Sequence, residues 1–201
     1  MFRRMFTFVL GLLFTAASAF ALENGQVVRI VNRSKTLSVQ NSSLDANKPI
    51  EMWTETGTNS QRWTIVDTGR GTLQFVNVYT GYYLGIASTA SKGSPMVQIT
   101  KAQSTTRGSW ELVPVEGKEN TYVLYMGTSR RFALSADATE TDGAPATLQI
   151  PADSVMSQME WTVEVVEAHP NHLTEAIRDD MMEKWKAQYY HKADVGYVIG
   201  G

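Results

Sequence analysis

Three tryptophans constrain this chain more than any other feature. Trp63, Trp110 and Trp161 stand 47 and 51 residues apart, and each closes a segment of the same shape. A short polar turn precedes each of them. Before the turn lies a Pro-led apolar run: Pro49-Ile50-Glu51-Met52-Trp53, Pro95-Met96-Val97-Gln98-Ile99 and Pro145-Ala146-Thr147-Leu148-Gln149-Ile150. Earlier still comes an L-x-[VIA] run: Leu37-Ser38-Val39, Leu84-Gly85-Ile86 and Leu134-Ser135-Ala136. A period of this size marks one structural unit used three times, with a core that only the assembled set can bury. Three units of four short strands make a closed, threefold, all-β architecture.

The spacing predicts strands over 27–31, 36–39, 50–53 and 63–66 in the first unit. It predicts 73–78, 83–86, 96–99 and 110–113 in the second, and 122–126, 131–135, 146–150 and 161–166 in the third. The units run over about 27–67, 73–115 and 121–166. Gly69-Arg70-Gly71 and Gly117-Lys118-Glu119-Asn120 are the joints. Short strands at near-even spacing, split by Gly, Asn, Asp and Pro, argue against a mixed or helical fold.

The ends read differently. Arg3 and Arg4 precede an apolar stretch over 6–17, and Ala19-Phe20-Ala21 has the small-x-small form of a cleavage site. Residues 1–21 are therefore expected to be a signal peptide, cut after Ala21, which implies a periplasmic or secreted protein with no membrane span after cleavage. Loss of the two arginines takes the net charge from -2 to about -4. Charge so mixed and so acidic does not suggest a nucleic-acid partner. The chain has no cysteine, so residues 22–167 must hold together through their core, without disulfides. After His169-Pro170, the residues Leu173, Ile177, Met181, Trp185 and Tyr189 fall every four positions. This stripe predicts an α-helical tail within 168–201.

Gln61-Arg62-Trp63, with Asn59 just upstream, is the Q-x-W signature of the ricin-B-type lectins, and the chain resembles that family over 27–167. The other two copies are degenerate: Gly108-Ser109-Trp110 lacks the Gln, and Gln158 stands one residue early before Met159-Glu160-Trp161. The resemblance implies a β-trefoil of three four-stranded repeats, with six strands in a barrel and three hairpins capping one end. It makes Gln61, Trp63, Trp110 and Trp161 structural. Each Trp fills the shared core, and Gln61 ties a loop by hydrogen bonding.

Sugar recognition needs an aromatic face for the C–H side of the ring, and a carboxylate and an amide for the hydroxyls. The family resemblance puts the acid inside the L-x-V motif, where this chain has Ser38, Gly85 and Ser135. It puts the aromatic on the third strand, where Trp53 stands in repeat one and Ile99 and Ile150 lie nearby in the others. Repeat one is thus the candidate carbohydrate site. Trp53 would stack, Asn59 would bond hydroxyls, and Asp45 or Glu55 would bring a carboxylate from a neighbouring loop. The competing reading has Trp53 packing its own hairpin and Asn59 capping a turn. Tyr79, Tyr82 and Tyr83 around Gly81, and Asp137 and Asp142-Gly143, read as turns before they read as sites.

No catalytic or metal constellation is expected, and no cofactor. His169, His172 and His191 all lie in the tail without a third ligand at suitable spacing. Asp179 and Asp180, adjacent on a helix, point about 100° apart and cannot flank one glycosidic bond. The tail, with Val195-Gly196-Tyr197-Val198-Ile199-Gly200-Gly201 after its helix, has a weak similarity to the opening of the family 76 α-1,6-mannanase-type glycoside hydrolases. The expected function is an extracytoplasmic carbohydrate-binding module with a glycan partner, accessory to glycan degradation and not itself an enzyme. Two alternatives stay open: the N-terminal fragment of a glycoside hydrolase whose catalytic domain is missing, and a non-binding structural spacer. The tail would belong to that missing domain or dock on the trefoil.

Overall fold

The computed structural model describes residues 22–151 and 156–167. The expected signal peptide over 1–21, the helical tail over 168–201 and all three histidines lie outside the described residues. Repeat one contributes β1 (Val27–Asn32), β2 (Lys35–Val39), β3 (Ile50–Trp53) and β4 (Trp63–Asp67). Repeat two contributes β5 (Leu73–Asn77), β6 (Tyr83–Gly85), β7 (Val97–Ile99) and β8 (Trp110–Pro114). Repeat three contributes β9 (Thr121–Met126), β10 (Ala133–Ser135), the short β11 (Ala144–Pro145), β12 (Thr147–Gln149) and β13 (Glu160–Glu167).

The first and last strands of each repeat form a closed ring. Pairing runs β1 to β4, β4 to β5, β5 to β8, β8 to β9, β9 to β13, and β13 back to β1. Closure leaves the barrel without an open edge. The middle strands pair as three hairpins, β2 with β3, β6 with β7, and β10 with β12. This is the β-trefoil.

The Pro-led runs lace the hairpins to one another around the pseudo-threefold axis. The Ile50 N–H donates to the Met96 carbonyl at 2.9 Å, Met96 to Ala146 at 2.8 Å, and Ala146 back to Ile50 at 3.3 Å. Three equivalent backbone groups thus satisfy one another in a cycle, as buried donors and acceptors must. One loop residue per repeat feeds this ring from the left-handed region. Asn47, Gly93 and Gly143 have φ of 62°, 83° and 83°, and their N–H groups donate to Gln98, Leu148 and Met52. Only Gly and Asn adopt that conformation cheaply, which accounts for the residue types found there.

The tryptophans explain the second motif of the repeat. All three are fully buried. Each indole N–H donates to the carbonyl of the L-x-V leucine: Trp63 to Leu37 at 3.3 Å, Trp110 to Leu84 at 3.2 Å and Trp161 to Leu134 at 2.9 Å. The Leu side chains are themselves fully buried in the same core. The indole therefore fills volume and satisfies its own polar atom with one placement.

Two elements depart from the sequence-based expectation. The polar stretch before Trp110 is a helix, α1 (Lys101–Arg107), where the repeat pattern predicts only a turn. Thr100-Lys101-Ala102-Gln103 is a T-x-x-Q capping sequence, and the Gln103 Oε1 accepts the Thr100 N–H at 3.0 Å. Repeat three has a shorter helix, α2 (Met156–Met159), in the same place.

Candidate functional site

Repeat one carries an open cleft of ≈ 230 Å³ between the β2–β3 hairpin and the loop leading to Trp63. Its walls include Ser38, Glu51, Trp53, Thr56, Thr58, Ser60 and Gln61. The ladder sets this arrangement. Ser38 on β2 lies directly opposite Glu51 on β3, and Thr36 opposite Trp53. Glu51 and Trp53, two residues apart on one strand, share a face of the hairpin. Ser38 carries no carboxylate, and its cross-strand partner does.

Glu51 is 6 % exposed. Burial raises its pKa above the ordinary carboxylate value, the Gln40 hydrogen bond opposes this, and the nearby Asp142 charge adds to the rise. Gln40 Nε2 donates to its carboxylate at 3.2 Å. An ionised carboxylate offers about four acceptor positions, so most of Glu51's capacity faces the cleft unused. Trp53 is 37 % exposed. Its placement is fixed from behind by repeat three. Asp142 accepts the Thr54 N–H at 2.7 Å, the Thr54 hydroxyl at 2.9 Å and the Lys35 ammonium at 2.7 Å. Those bonds, led by the one from Lys35, hold the Asp142 carboxyl below its usual range. Gly143 runs under the indole, a Cβ there meeting the ring at 3.7 Å.

Gln61, of the Q-x-W motif, is almost wholly buried and spent on its own loop. Its Oε1 accepts the Thr56 N–H at 2.8 Å and the Thr56 hydroxyl at 3.0 Å, and its Nε2 donates to the Thr54 carbonyl at 2.9 Å. The loop so tied presents a row of hydroxyls, Thr56 to Thr58 at 3.0 Å and Thr58 to Ser60 at 2.9 Å. The cleft thus combines one aromatic face, one buried acid and a chain of hydroxyl groups.

Of the residues picked out from the sequence, the structure brings Trp53 to this cleft and not the other three. Glu55 is ion-paired with Arg29. Asp45 takes the Ser43 hydroxyl at 3.1 Å and lies 3.8 Å from the Lys48 ammonium. Asn59 is exposed and opens the 3₁₀ turn Asn59–Gln61. Glu51, which the motif reading passed over, takes the place those acids were given. Its signal in the sequence was a charge inside an apolar strand, next to a Pro-led turn.

Repeats two and three do not reproduce the cleft. A Cβ on Gly85 would come closer than 3.0 Å to Ile99 Cδ1 and to the Arg107 carbonyl oxygen, so no acid fits at that position. Gly108 stands in the place of Gln61, and a Cβ there would meet the Leu84 carbonyl oxygen at 2.9 Å. In repeat three the register puts Gln149 where Trp53 stands, so Ile150 is not its counterpart. Met159 replaces Gln61 and is buried with Val123 and Ala133. Tyr79, Tyr82 and Tyr83 surround a turn: Asn77 Oδ1 accepts the Tyr79 N–H at 3.1 Å and Tyr83 is 9 % exposed. Asp137 closes a turn of its own on Thr139. Among the described residues, no group of three or more His, Asp or Glu could hold a metal ion, and no helix is long and apolar enough to cross a membrane.

The family model for ricin-type β-trefoil lectin-domain-like sequences matches residues 16–100. The chain carries a β-trefoil, similar over those residues to the ricin-type lectin domains. The designed threefold-symmetric protein ThreeFoil is 22% identical over 70% of this chain and 99% of its own, with a TM-score of 0.63. The ricin B-like lectin of Macrolepiota procera, solved in complex with lactose, is 21% identical over 72% of this chain and 98% of its own, with a TM-score of 0.62. An exo-β-1,3-galactanase from Clostridium thermocellum is 23% identical over 70% of this chain but only 30% of its own, with a TM-score of 0.63. No curated protein matches the chain.

Proposed function

We propose that the chain is a carbohydrate-binding, lectin-like module with one working sugar site, the repeat-one cleft. The observation that carries the reading is the meeting of Trp53, Glu51 and the Thr56–Ser60 hydroxyls in that cleft, and in none of the equivalent places. A pyranose would lay its C–H face on Trp53 and donate hydroxyl hydrogens to Glu51. The lactose bound by the Macrolepiota procera lectin supports a saccharide as ligand. The sugar is held and released, with no bond made or broken by the described residues.

The apolar leader and its Ala19-Phe20-Ala21 site support action outside the cytoplasm. The galactanase, in which a similar trefoil is under a third of the chain, supports an accessory role in glycan degradation. A glycan array probed with the wild type, Trp53→Ala and Glu51→Gln tests the reading. Binding to a defined set of glycans that both substitutions remove is the expected result. Binding that survives Trp53→Ala moves the site elsewhere, and no binding to any glycan makes the trefoil a spacer.

A further inference from the structure

A second cleft, of ≈ 810 Å³, opens at the junction of repeats two and three, between the end of α1 and the β9–β10 turn. The threefold pattern shows why it is open here. At the two equivalent junctions an asparagine stitches the strand end to the loop before the tryptophan of the preceding repeat in the ring. Asn32 Nδ2 donates to the Ser157 and Glu160 carbonyls at 3.0 and 2.8 Å. Asn77 Nδ2 donates to the Ser60 and Arg62 carbonyls at 3.0 and 3.3 Å. At the third junction the register puts Met126 in that position. A thioether has no N–H to donate, and Met126 instead lines the cleft with Ile86 and Phe132.

The charged residues on this cleft are Arg107 and Arg131, and no carboxylate lines it. Several other cations have acidic partners: Arg29 with Glu164, Arg33 with Glu140, Arg130 with Glu111 and Lys35 with Asp142. Among the described residues, neither cleft arginine has an acidic partner. Arg107 is aimed by its bond to the Ala87 carbonyl. Arg131 lies over the Phe132 ring, 5.1 Å from its centroid, with its edge free to donate. Two guanidiniums without acidic partners on one small-molecule-sized cleft are free to take an anion. Their planar forks match carboxylate and sulfate oxygens.

We infer that this cleft is a second ligand site, for an anionic saccharide unit bearing a carboxylate or a sulfate. Its apolar floor takes the C–H face of the ring and the two arginines take the anionic group. It shares no lining residue with the repeat-one cleft, so it stands whether or not that cleft binds sugar.

The test is calorimetric titration of the full chain with trigalacturonate, a sulfated disaccharide and a neutral galactotriose, at low and high salt. At least one anionic ligand should bind, weakening as salt rises, with the neutral one at least tenfold weaker through this site. Binding of the uronate alone assigns a carboxylate, and of the sulfated sugar alone a sulfate. Arg131 is exposed, so Arg131→Gln should cut affinity at least tenfold without lowering the melting temperature. Arg131→Lys, which keeps the charge but not the fork, should fall between. Trp53→Ala and Arg70→Gln should leave anion binding unchanged. The inference is overturned if neither anion binds, if Arg131→Gln binds as the wild type does, or if Trp53→Ala abolishes anion binding.

Discussion

Replacing Glu51 by Gln should separate the two things a buried carboxylate does. Glu51 is 6 % exposed, its carboxylate takes one weak side-chain donor, Gln40 at 3.2 Å, and it lines a cleft. A hydrogen bond to a charged group contributes about 1.5–3 kcal/mol. Losing the charge while keeping the shape should therefore weaken sugar binding by roughly 10- to 150-fold. Stability should move the other way. Burial raises the folded-state pKa of Glu51, so its ionised form is disfavoured in the native protein. The wild type is then most stable, relative to Glu51→Gln, below the unfolded-state pKa, and loses that ground as pH rises through the higher folded-state value. At pH 7 the variant should melt no lower than the wild type, and its advantage should vanish on acidification. Sugar affinity of the wild type should fall in the same window, beginning above the pH at which an ordinary carboxylate titrates. Quenching of Trp53 fluorescence follows binding, and thermal melts from pH 3.5 to 8 follow stability. A variant that keeps wild-type affinity, or that melts several degrees lower at pH 7, would refute the assignment of Glu51.

Trp53→Ala should abolish sugar binding with little change in melting temperature, because the indole is 37 % exposed; a large loss of stability would mean that it belongs to the core. Trp110→Phe removes the donor at 3.2 Å from the Leu84 carbonyl and leaves a void, so urea unfolding should show a loss of about 2–4 kcal/mol. Gly85→Asp, which puts an acid into the L-x-V run of repeat two, should cost roughly 1–3 kcal/mol or more from overpacking against Ile99 and the Arg107 carbonyl. It should confer no new site, and a stable Gly85→Asp protein with added binding capacity would contradict the crowding seen there.

Most of the architecture was legible in the chain itself. The Trp period, the L-x-V runs and the Pro-led runs recur because the fold needs each of them three times. The first supplies an indole N–H for a leucine carbonyl, the second a core leucine, and the third a backbone hydrogen bond at the axis. Repeated structural demands leave repeated residues, so they survive as pattern. The helix α1 did not, since its T-x-x-Q cap occurs in one repeat only.

The residues of the two clefts were less legible for the opposite reason. Each cleft sits where the symmetry is broken, and a residue that occurs once leaves no period. Repeat one was marked by Trp53, but which acid accompanies it depends on cross-strand register. Only the ladder places Glu51 opposite Ser38, while Arg29 and Lys48 draw Glu55 and Asp45 to other surfaces. Likewise Met126 is an ordinary strand residue until the fold puts it in the place of Asn32 and Asn77. The chain alone determined the trefoil, because hydrophobic and backbone demands repeat along it. The tertiary structure alone decided which carboxylate and which arginines reach a cleft, because that turns on contacts between strands distant in sequence.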